Sequence, residues 1–90
     1  MTSPMAIKRI RAIYRNSFNL HAAKLAELGH VDAGTFWDDF FARAEQIEAQ
    51  HPNDELTRAF ILAIHADLEA LEEKINDQEK EMESCLIAQH

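Results

Sequence analysis

The sequence predicts an all-α protein, a helical hairpin or three-helix bundle in which two shorter helices fold against one long C-terminal helix. Three observations carry that expectation. Residues 54–87 contain neither Pro nor Gly and are rich in Ala, Leu, Glu, Asp and Lys. Apolar residues recur three and four positions apart along the whole chain, the period of one helix face. The pattern is punctuated twice, at Gly29 and at His51-Pro52-Asn53, which sets three helices at about 5–28, 33–50 and 54–87. With 47% hydrophobic residues, the 90-residue chain suffices for one domain, 1–90, but not for two independent cores.

Helix 1 opens at Ser3-Pro4, an N-cap followed by a first-turn proline. Ile7, Ile10, Ile13, Tyr14, Phe18, Leu25 and Leu28, with His21 among them, then cover one broad face. Gly29 suits the left-handed turn that ends a helix. Asp32, or alternatively Thr35, caps helix 2. There Phe36, Trp37, Phe40, Phe41, Ala44 and Ile47 lie on one face and are expected to form the centre of the core, with Asp38, Asp39, Arg43, Glu45 and Gln46 opposite. Pro52 forces His51 out of helical geometry, and Asn53 is the expected cap of helix 3.

Helix 3 would be about 50 Å long, against about 36 Å for helix 1 and 27 Å for helix 2, at the usual rise of about 1.5 Å per residue. In sevens, Ile61, Leu68, Ile75 and Met82 fall at one seam position, and Ile64, Leu71, Gln78 and Cys85 at the other, as in a coiled coil. From Ile75 onward the stripe has no evident cover within the chain. It is therefore expected to be completed by a homodimer or higher homo-oligomer, with Leu68, Leu71, Ile75, Met82 and Leu86 at the interface.

Net charge of −7 conceals a division between the two parts of the chain. Residues 1–26 carry five bases and no acid, whereas residues 27–90 carry sixteen acids and four bases. The acidic body makes nucleic acid an unfavourable partner, while the basic opening attracts anions. Lys8, Arg11 and Arg15 share a helix face beside Tyr14 and Phe18, a combination that suits an acidic protein surface or the phosphate of a small ligand. The alternative is that these bases pair with Glu79, Glu81 and Glu83. The lone Cys85 reads as a small buried hydrophobe, and no stretch approaches the length needed to cross a membrane, so a cytoplasmic protein without membrane contact is expected.

Glu48-Ala-Gln-His51 has the Glu-x-x-His spacing of carboxylate-bridged metal bundles, which need that motif twice. Only one copy is present, and neither a metal nor any other cofactor is expected. His21-Ala-Ala-Lys24 resembles the His-x-x-Lys core of histidine phosphotransfer domains, which implies an all-helical fold and a phosphate-accepting imidazole. That family has a glycine after the lysine, where this chain has Leu25. There is no Gly-rich phosphate loop, nucleophile elbow or metalloprotease helix, so no enzyme activity is expected. The sequence thus points to a small regulatory or inhibitory interaction protein that presents a helical surface to a macromolecular partner. A binding protein for a nucleotide or other phosphorylated small ligand comes second, and a phosphotransfer or metal-binding bundle third.

Overall fold

The computed structural model describes the backbone of residues 4–88 and the side chains of residues 4–77. Three helices, α1 (Pro4–Glu27), α2 (Ala33–Gln50) and α3 (Glu55–Ala88), form an all-α bundle, with no strand among the described residues. Each boundary has a local cause. Gly29 takes φ +83°, a left-handed conformation that L side chains resist, and the His30 N–H donates to the Glu27 carbonyl over 2.9 Å. Asp32 caps α2 by accepting from the Thr35 N–H (2.9 Å) and the Thr35 hydroxyl (2.8 Å). Those bonds hold its carboxyl below the usual range.

At the second turn the cap is one residue later than expected. Asn53 adopts a left-handed φ of +58°, and the Asp54 carboxylate accepts from the Thr57 N–H over 3.1 Å. Asn tolerates the left-handed turn that the chain needs here, which leaves capping to the aspartate.

Leu20, Phe36, Phe40, Ala44, Ile47, Ile61, Ile64 and Leu68 pack into one cluster, edged by Leu28 and Trp37, and Ile13 is also fully buried. The aromatic face of α2 is narrower than expected. Phe36 and Phe40 are buried, but Trp37 is half-buried and Phe41 is 51% exposed. Trp37 stays at the rim because its indole N–H reaches the Glu72 carboxylate of α3 over 3.2 Å. Its ring lies 4.9 Å from the imidazole of His65.

Polar ties fix the placement of α1. Arg9 donates to Asp54 over 2.7 Å, His21 Nε2 lies 2.7 Å from an Asp67 oxygen, and Asn16 donates to Gln50 over 3.0 Å. The two α1–α3 ties join residues 45 and 46 positions apart, so α1 and α3 run parallel and nearly in step. Equal rise per residue then puts the end of α1 level with about residue 73 of α3. The α3 backbone continues beyond that level to Ala88.

Candidate protein-interaction site

The buried stripe of α1 is Ile13, Ser17, Leu20 and Lys24, spaced four, three and four. It therefore puts a hydroxyl and an ammonium inward. The apolar residues Ile7, Ile10, Tyr14, Phe18 and Leu25 are left on the surface, with Tyr14 54% and Phe18 70% exposed. Hydrophobic periodicity placed all of these on one broad core face. In fact only one margin of that face is buried against α2 and α3.

Lys24 explains the orientation. Its side chain is fully buried, and Nζ donates to Glu27 (2.6 Å) and to Asp39 of α2 (3.0 Å), lying 4.3 Å from the centroid of the Phe36 ring. Arg43 adds a 2.9 Å pair to the same Asp39 oxygen, and the hydrogen bond from Lys24 leads the causes that lower the Asp39 carboxyl from its ordinary range. An ammonium is withdrawn from water at tolerable cost only when its protons are taken up in this way.

The outward part of α1 meets α3 in an open groove of about 170 Å³ lined by Tyr14, Ser17, Phe18, His21, Phe60 and Ile64. Tyr14 and Phe60, one from each helix, stand edge to face with ring centroids 5.0 Å apart. The His21–Asp67 contact crosses from helix to helix beside it. Ser17 is only 4% exposed, and among the described residues its hydroxyl has no hydrogen-bond partner.

Arg11 and Arg15 border the two aromatic residues, since Arg11 is three positions before Tyr14 and Arg15 is three before Phe18. Lys8 extends the row one turn toward the N-terminus. All three bases are exposed and, among the described residues, make no ion pair. Arg9, outside this face, pairs internally with Asp54. The structure therefore brings Lys8, Arg11, Tyr14, Arg15 and Phe18 onto one surface. It also adds Phe60, Ile64 and Ser17, which sequence spacing within α1 had no means of assigning. Glu79, Glu81 and Glu83, the acids set against these bases in the alternative reading, lie outside the described side chains.

The expected oligomer seam divides differently. Leu68 is fully buried in the chain's own core. Leu71 and Ile75 are half-buried, and the Gly29 turn lies against Ile75, with the Ile75 Cδ1 atom 3.8 Å from where a Cβ on Gly29 would sit. Met82 and Leu86 lie outside the described side chains.

His21 and Lys24 are both engaged elsewhere, with Asp67 and with Glu27 and Asp39. His51 ends α2, donating its backbone N–H to the carbonyls of Ile47 and Glu48. No group of three or more His, Cys, Asp or Glu among the described residues is placed to hold a metal ion, and no described helix is long and apolar enough to cross a membrane. Comparison with known family models, curated proteins and solved structures finds no match.

Proposed function

We propose that this chain is a non-enzymatic regulatory or inhibitory interaction protein, and that its groove between α1 and α3 receives an acidic, apolar segment of another protein. The observation that carries this role is the contrast on α1: Tyr14 and Phe18 stand exposed beside Arg11 and Arg15 while the same helix buries Ser17 and Lys24. Contiguous exposed aromatics rimmed by charge are typical of interaction sites, and aromatic and arginine side chains supply most hot spots. The bases select for acid, and the net charge of −7 on the whole chain disfavours the long polyanion of a nucleic acid. Self-association through the end of α3, using Ile75, Met82 and Leu86, accompanies this role in the proposal. A Met82→Asp change, which spares the half-buried Ile75, is expected to lower the mass seen by light scattering.

Selection from a random peptide-display library tests the partner surface even while the partner is unidentified. Peptides retained by the wild-type protein are expected to combine Asp or Glu with aromatic residues and to be lost on a Phe18→Ser, Arg15→Glu variant. Retention by that variant would place binding elsewhere. Heat evolved with a nucleotide panel, and lost in Arg11→Ala, would instead favour a phosphorylated small ligand at the same bases.

A further inference from the structure

Two parts of the molecule match in length and are opposite in charge. The first is the outward margin of α1, where Ile7, Ile10, Tyr14, Phe18 and Leu25 are exposed beside Lys8, Arg11 and Arg15. From Ile7 to Leu25 it runs about 27 Å at the helical rise. The second is the α3 backbone beyond the level of about residue 73, which continues to Ala88 and overhangs the end of α1 by about 22 Å. Residues 79–87 of that overhang hold three glutamates against one lysine. Glu79, Met82, Glu83 and Leu86 recur at the spacing of one helix face, so acid and apolar residues share it. A basic, apolar margin and an acidic, apolar end are complementary.

We infer that the end of α3 occupies the α1–α3 groove of a second copy of this chain, in a closed dimer whose two α3 helices run antiparallel. A continuous helix cannot reach its own groove, because residue 83 stands about 34 Å along α3 from Phe60 in the groove wall. A second copy can. When two α3 helices lie antiparallel in full overlap, Glu55 of one is level with Ala88 of the other, and residues 79–87 fall level with 56–64 of the other copy. That is the level of the Tyr14–Phe60 ring pair and of Phe18 and Ile64. In the observed register of α1 and α3, Glu79 and Glu83 then each lie within about one turn of Arg15, and Glu83 within about one turn of Arg11. The two-fold axis falls beside half-buried Leu71, which recurs at helical spacing with Phe60 and Ile64 on the same face of α3. Each copy fills the other's groove, so the assembly closes at two. The inference rests on the groove being the docking surface proposed above, and it names the resting occupant that an acidic segment of another protein must displace.

The single cysteine, Cys85, takes a nitroxide label in the full-length protein, and pulsed electron paramagnetic resonance reads the distance between the two labels. Full antiparallel overlap separates the Cys85 labels by about 40 Å along the helix axis. Labels at Ala70→Cys in a Cys85→Ser background, next to the two-fold axis, are expected within about 20 Å of each other. Parallel pairing would bring both label pairs close, and antiparallel contact of the α3 ends alone would bring the Cys85 labels close and set the Ala70→Cys labels far apart. Either result, or no dipolar coupling at all, would overturn the inference. Arg11→Glu with Arg15→Glu is expected to raise the dimer dissociation constant at least about tenfold, because like charges then face each other across the contact. Adding Glu79→Arg and Glu83→Arg to the same chain should restore the dimer, a rescue that an unfolded variant would not show. Dimers indifferent to the first pair of changes would place the contact away from the groove and overturn the inference as well. No peptide enters these measurements, so the display selection decides the docking reading separately. A monomeric chain that still retains acidic peptides would lose the inference and keep that reading.

Discussion

The two margins of α1 are chemically inverted with respect to a simple amphipathic helix. Inward, Ile13 and Leu20 alternate with Ser17 and Lys24; outward, Tyr14 and Phe18 lie beside Arg11 and Arg15. Turning the helix to bury Tyr14 and Phe18 would pull Lys24 from Asp39, His21 from Asp67 and Arg9 from Asp54. Apolar content alone therefore does not select the buried face. Through-space partners on α2 and α3 select it, and the apolar surface not used in the fold becomes available for recognition.

The sharpest way to break this comparison is to truncate one aromatic from each environment. Phe40→Ala removes a fully buried ring and is expected to cost about 3 to 5 kcal/mol, enough to threaten folding in a chain of this size. Phe18→Ala, by contrast, should change stability by less than about 0.5 kcal/mol because its ring is mostly in water. Urea unfolding followed by circular dichroism measures both, and a large loss in Phe18→Ala would mean that the outward margin is part of the core.

Next in size is Lys24→Ala, expected to cost about 2 to 3 kcal/mol, below the range for fully enclosed pairs because Glu27 and Asp39 keep some contact with water. A neutral outcome would remove the reason given for the orientation of α1. A smaller effect is expected from acid. The hydrogen bond from Arg9, then that from the Thr57 N–H, pulls the Asp54 carboxyl down from 3.8 to about 2. Its folded value lies below its unfolded one, so its contribution is complete above about pH 4 and is lost as pH falls toward about 2. Asp54→Asn should flatten the stability profile in that window, measured as the urea midpoint against pH. An unchanged profile would show that the Arg9–Asp54 tie does not help to hold α1.

Much of the backbone was legible in the sequence because its signals are local. Gly29, Asp32 and Pro52 each act within a few residues, and the helix ends they set lie close to those read from the pattern. What the pattern could not resolve was rotation about the helix axis. Ile7, Ile10, Ile13, Tyr14, Phe18 and Leu25 span an arc wider than the contact α1 makes, and periodicity does not say which margin of a wide arc faces inward. Lys24 was read through its spacing from His21. The acid that holds it across the bundle, Asp39, is 15 positions away and invisible to such a reading. The same limit applied to Trp37, whose place at the rim depends on Glu72, 35 positions away. Of the candidate site, the row Lys8, Arg11, Tyr14, Arg15 and Phe18 followed from spacing within one helix. Its other wall, Phe60 and Ile64, needed the parallel pairing of α1 with α3.

Amide and aromatic chemical-shift mapping with an acidic peptide taken from the display selection tests the central claim most directly. The account predicts perturbations concentrated at residues 7–18 of α1 together with Phe60 and Ile64, while Phe36, Phe40 and Ala44 stay unchanged. Perturbations confined to α2 or to the far end of α3, with Tyr14 and Phe18 silent, would contradict it.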